Sequence, residues 1–144
     1  DQFTGIQWTM SAHQSTTVPN GATDITNGSA NTASIVAQAG VPAAGGDNYA
    51  AYLCDTLSLG GYTDWYLPSK DELNYLWENL ADSDGDNSNT GPTDPNNLGG
   101  FATNYYWSST EYGSSHAWGQ NVNAGYQLNY LKNVASYVRA IRAF

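Results

Sequence analysis

The sequence carries one cysteine, two histidines and thirteen carboxylates, so few residue types are present that could make or break bonds. Cys54 would act as a nucleophile only as a thiolate beside a base. It falls instead at helical spacing with Ala50, Leu53 and Leu57, with no histidine nearby in sequence. That is the pattern of a small buried hydrophobe. A lone cysteine also excludes an internal disulfide. His13 and His116 stand far apart, and no Cys/His spacing fits a zinc site. Asp71, Glu72 and Glu78 belong to the start and outer face of a predicted helix, where they favour the helix N-terminus. No carboxylate pair points to glycosidic acid/base chemistry. Asp82, Asp84 and Asp86, followed by Asn87 and Asn89, form a candidate calcium loop, because calcium takes several oxygens from flexible backbone. An EF-hand would need Gly and Glu where this chain has Asn87 and Thr93. No phosphate-binding glycine motif occurs. The expectation is therefore no catalytic residue, no metal beyond that calcium loop and no other cofactor.

These residues need a scaffold, and the composition supplies one. The chain has 144 residues, 40% of them hydrophobic, with five Trp and eleven Tyr. That suffices for one core and predicts a single domain, 1–144. Charged residues make up only 12%, so the polar surface is built from Asn, Ser, Thr, Gly and Gln. This composition suits a secreted or particle-displayed protein. The net charge is −9 and the only bases are Lys70, Lys132, Arg139 and Arg142. No basic patch exists for nucleic acid, an anionic membrane or a heparin-like polymer. From Trp107 onward, Glu111 is the only acid and faces three bases, so the tail is nearly neutral and chemically distinct. No signal peptide or apolar span is visible, so membrane insertion is not expected. The start at Asp1, without Met, suggests a fragment or a processed product.

Periodicity predicts an α+β order. Residues 3–8 alternate as a short strand. Residues 31–39 read as a helix with Ile35 and Val36 inward. Residues 47–59 read as a second helix, ended by Gly60 and Gly61. Ser69 and Glu72 form a capping box, and Leu73, Leu76, Trp77 and Leu80 supply the buried stripe of the helix it starts. Residues 81–100 form a long polar loop. Short strands are then predicted over 105–107, 117–118, 121–123 and 125–132. A closing strand over 137–144 turns Val138, Ala140 and Phe144 to one face.

Two segments carry a resemblance. One runs from Gly60 through Trp65, Leu67 and Pro68 to Leu73. The other is the tail, with Tyr106-Trp107-Ser108-Ser109-Thr110-Glu111-Tyr112, Ala117-Trp118 and Tyr137-Val138-Arg139-Ala140-Ile141-Arg142. Together they resemble the Lcl C-terminal domain family (DUF1566) over nearly the whole chain. The family is related to the C-type-lectin-like and formylglycine-generating-enzyme folds. The resemblance therefore implies two main helices and a small twisted sheet. Formylglycine-generating enzymes depend on reactive cysteines in their C-terminal half, where this chain has none, so the scaffold is implied without the chemistry.

Some domains of this type are variable proteins of diversity-generating retroelements. In these, Asn codons near the gene's end diversify but cannot become Trp, Met, Lys, Gln or Glu. After Tyr106, those types stand only at Trp107, Glu111, Trp118, Gln120, Gln127 and Lys132. The resemblance thus implies that residues 107–144 are a variable recognition region. Its candidate ligand-binding residues are Tyr112, Ser114, Ser115, His116, Gly119, Asn121, Asn123, Tyr126, Leu128, Asn129, Tyr130, Leu131, Asn133 and Ala135. Tyr, Ser, Gly and Asn are also the types from which binding surfaces are built. Trp107, Trp118, Val138 and Ile141 would support them from the core, and Arg139 and Arg142 would pair with acids. The function expected is receptor recognition of a protein or glycan on a target cell, from a phage or bacterial surface. An undiversified adhesin domain, which could form homo-oligomers, is the alternative. An enzyme on the formylglycine-generating scaffold is the third.

Overall fold

The first helix, α1 (Gly28–Ala39), begins where Asn27 caps it by accepting from the Ala30 N–H at 3.0 Å. It buries Ile35 and Ala39, and Gly40 closes it by donating to Val36 O. The computed structural model describes residues 2–143. Helix α2 (Ala50–Asp55) is shorter than the predicted 47–59. Tyr49 is extended and bridges Gln7, and Ala50 N donates to Gln7 O at 3.0 Å. A long-range pairing thus delays the helix start. At its far end the chain leaves the helix after Asp55, so Leu59 is exposed. Gly60 and Gly61 instead build a tight hairpin, with φ of 63° and 81° and reciprocal bonds between Leu59 and Tyr62. Two consecutive positive φ values are the demand of a type I′ turn, which glycine meets without strain.

Helix α3 (Lys70–Leu76) carries the predicted capping box. Glu72 does more than cap. Its Oε2 accepts from Ser69 N and Gly28 N, and its Oε1 from the Tyr66 hydroxyl. The start of α1 is thereby fastened to the start of α3. Gly28 must be glycine there, because a Cβ would come within 2.5 Å of Leu67 O. Over Trp77–Ala81 the helix widens into a π turn, with Asp82 N donating to Trp77 O. The widening breaks the predicted stripe. Leu73 and Trp77 are buried, but Leu80 is turned outward.

One sheet of five strands completes the fold. Its strands are β1 (Gln2–Ile6), β2 (Tyr105–Glu111), β3 (His116–Asn121), β4 (Gln127–Leu131) and β5 (Ser136–Arg139). Their spatial order is β1-β5-β2-β3-β4, with only the β5–β2 pair parallel. Of the segment predicted as a strand over 121–123, Asn121 ends β3, while Val122 and Asn123 lie in the turn to β4. The predicted closing strand is cut short after Arg139, and Ile141 makes a separate bridge to Tyr66. Phe144 lies outside the described residues. The main core joins Trp8, Ile35, Tyr49, Cys54, Leu67, Trp107 and Val138, and a second cluster gathers Leu73, Trp77, Phe101, Tyr106 and Val122. The molecule is thus a mixed α+β domain, and among the described residues no helix is long and apolar enough to cross a membrane.

Candidate recognition surface

Strand β2 is the fixed floor of the tail. Six of its seven residues are buried, among them Tyr106 and Trp107. The Trp107 indole donates to Ile6 O at 3.0 Å, and the Trp8 indole donates to Ser108 O at 2.8 Å. The tail is therefore pinned to the first residues of the chain. On this floor lies the β3–β4 hairpin, and β4 is an edge strand of the sheet. One face of the hairpin looks inward. Tyr130 packs edge-on against Tyr105 and Trp107, with ring centroids 4.9 Å and 6.0 Å away. The other face carries Trp118 opposite Asn129 and His116 opposite Leu131. Tyr112 stands edge-on to Trp118 at 5.4 Å, and the Lys70 ammonium sits 4.1 Å over the same indole.

A buried ion pair locks the hairpin to the body. Lys132 Nζ lies 2.6 Å from Glu111 Oε1, with side-chain exposures of 0% and 3%. Lys132 also donates to Thr16 O and Ser114 O, and Glu111 accepts from Val18 N. Every charge is thus answered, the condition under which such a pair can stay buried. The other residue types that an Asn codon cannot reach are anchored too. Gln120 is fully buried and donates to Asn74 Oδ1 and Gly125 O, while Gln127 donates to Lys70 O. Trp118 is half-exposed, pinned between Tyr112 and Lys70.

Most of the candidate contact residues lie outside this framework. Tyr112, Ser114, Asn123, Tyr126, Leu128, Leu131, Asn133 and Ala135 are exposed, as is Val134. Ser115, His116, Asn121 and Asn129 are half-buried. Asn121 Nδ2 donates to the Tyr126 hydroxyl, and Ser115 bonds the His116 ring. Two expectations need correction. Gly119 is buried, and a Cβ there would meet Tyr106 O at 2.8 Å, so it belongs to the floor. Tyr130 is half-buried with its ring in the core, and burial pushes its hydroxyl well above the usual range. Two of the supposed core supports also sit higher than expected, since Trp118 and Ile141 are half-exposed. Lys70 was not foreseen at this surface. It comes from α3, and nothing in the local sequence signals that a helix start reaches the tail.

Elsewhere, Asp82, Asp84 and Asp86 each bring a carboxylate oxygen within 4.8 Å of the others. Asp82 is buried and its Oδ1 lacks a hydrogen-bond partner, and burial raises its carboxyl above the usual range. These oxygens could serve a hard cation. Cys54 is fully buried and its thiol is pushed up by that burial, which leaves it inert as a nucleophile. Arg142 pairs with Asp64 at 3.0 Å, as expected, and the bond holds Asp64 below the usual carboxylate range. Among the described residues Arg139 makes no ion pair with an acid; it donates to Gln2 Oε1 and Gly99 O. A cavity of ≈ 670 Å³ opens between the 59–62 hairpin, α3 and the stretch after β5, a feature that periodicity does not reveal.

Residues 1–142 match the Lcl C-terminal domain family. No curated protein matches the chain.

Proposed function

The chain belongs to the Lcl C-terminal domain family, and from that premise we propose that it is a receptor-recognition domain whose contacts come from the β3–β4 hairpin and its flanking loops. The family is a non-catalytic domain, and the chain is not an enzyme. The observation that carries the proposal is a cluster of large apolar side chains left in solvent. Tyr112, Tyr126, Leu128, Leu131 and Val134 are 59%, 47%, 45%, 48% and 38% exposed, all on one hairpin and its flanks. Concentration of such surface in one region marks a binding site. Beneath it lies a floor tied by buried hydrogen bonds and an ion pair, which is what a rigid paratope needs.

The finer assignments rest on this. A C-type-lectin-like identity is supported by helices α1 to α3 leading into strands β2 to β5, with β1 joined to the same sheet. Diversification by a retroelement is supported by the division of residue types. The six that Asn codons cannot reach are buried, bonded or stacked in the framework, while the exposed positions are reachable ones. The ligand is a protein or glycan on a target cell, met from a phage or bacterial surface. A net charge of −9 disfavours a polyanionic glycan.

The test is a displayed library randomised at Tyr112, Ser114, His116, Asn123, Tyr126, Leu128, Leu131 and Asn133. Most members should fold, and binders to an arbitrary protein target should be selectable. A library at Glu111, Gln120 and Lys132 should mostly fail to fold. If the surface library unfolds, or never yields a binder, the surface is structural. Diversification has its own check in the flanking DNA. A near-copy of the tail's coding sequence, altered mainly at adenines, supports it, and its absence leaves an adhesin domain.

A further inference from the structure

The cavity beside α3 lies apart from the β3–β4 hairpin and has its own chemistry. Its wall is aromatic and aliphatic, with Trp65, Tyr75, Leu76, Leu80 and Ile141 among the lining side chains. Its ≈ 670 Å³ is the size of a small-molecule site. Both arginines of this acidic chain line it. Arg142 is held by Asp64 and lies over the Tyr62 ring at 3.6 Å. Arg139 is different. Among the described residues no carboxylate lies within ion-pair distance of it. Its Nη2 donates to the neutral oxygens of Gln2 and Gly99, each at 3.0 Å, and its Nε is buried without a partner. The guanidinium lies 4.3 Å from the centre of the Phe101 ring. Burial draws it below its ordinary pKa. The carboxylate in the wall cannot serve, because Glu72 already accepts from Gly28 N, Ser69 N and the Tyr66 hydroxyl.

We propose that this cavity binds a small amphipathic anion, with an aromatic or aliphatic body on the apolar wall and one carboxylate or sulfonate answering Arg139. The body is held by burial of apolar surface, and the anionic head by charge-assisted hydrogen bonds. The site is separate from the recognition surface, so an occupant here would not compete with a ligand on the hairpin.

Two fluorescent probes of similar shape test this on the intact chain. One is anilinonaphthalene sulfonate, the other is neutral phenylnaphthylamine. The sulfonate should bind saturably at one site. Arg139→Gln should weaken it by about tenfold or more, while the neutral probe changes by less than about twofold. Leu76→Trp, which fills the cavity, should remove both. Tyr112→Ser with Leu131→Ser should remove neither. Circular dichroism checks that each variant is folded. Should Arg139→Gln fail to fold, Arg139→Lys keeps the charge without the planar fork and should weaken the sulfonate selectively. Equal sulfonate binding in a folded Arg139 variant would overturn the anion assignment. Binding that survives Leu76→Trp, or that is lost with the hairpin variants, would overturn the location. No saturable binding to the native chain would overturn the site itself.

Discussion

Two tyrosines a few residues apart on the hairpin answer to different forces. Tyr126 is 47% exposed, and its hydroxyl accepts from Asn121. Tyr130 turns its ring onto Trp107 and Tyr105. Tyr126→Ala should therefore change folding stability by no more than about 0.5 kcal/mol. Tyr130→Ala should cost roughly 2 kcal/mol or more, through lost packing in a partly buried site. Denaturant unfolding of the two variants checks this, and equal effects would mean the inward face has been misassigned. The ion pair makes a sharper case. Lys132→Met removes one partner and leaves Glu111 buried, which should cost about 3–5 kcal/mol. A loss under about 1 kcal/mol would mean the pair is not closed in solution. Residue type alone already separated Lys132 and Glu111 from their neighbours. It did not expose Gly119, because reachability from a codon says nothing of burial. Nor did it reveal the partners of the pair, Thr16, Ser114 and Val18, which meet it only through the fold.

At the scale of elements, what could be read from the sequence was whatever is settled within a few residues. The Ser69–Glu72 capping box is such a case, since donor and acceptor are three residues apart and both bonds form. Ser69→Ala should cost about 1 kcal/mol. Glu72→Ala should cost more, because it strips an acceptor from two N–H groups and the Tyr66 hydroxyl. Thermal melts of the two variants rank them, and the reverse order would rule out Glu72 as the α1–α3 fastener. Tyr66 is raised to about 12, first by burial and then by the charge and bonding of Glu72. Glu72→Gln should bring it part of the way down, read from the ring carbon shift in an alkaline NMR titration. The elements misread were those set from a distance. The late start of the 47–59 helix follows from Gln7 holding Ala50. The π turn at Trp77 accompanies an indole bond to Val122 O, forty-five residues on. No local window contains those partners.

For the molecule as a whole, burial of tyrosines sets an alkaline limit. Tyr49, Tyr66 and Tyr106 are each raised from 10.0 to about 12, chiefly by burial. A raised acid binds its proton more tightly folded than unfolded. Its contribution is whole below pH 10 and is lost as the pH climbs from about 10 to about 12. The melting temperature should fall across that window, and Tyr106→Phe should flatten part of the fall. A flat profile in the native chain would show that these hydroxyls are not held neutral. The strand order has a consequence for how such a domain could be mounted. β1 and β5, the first and last strands, are neighbours, and β4 lies at the opposite rim. At about 4.8 Å per strand, β1 and β4 are roughly 19 Å apart. A tether joined at either end of the domain would therefore leave from the rim away from the hairpin, so an anchor and a target need not crowd each other.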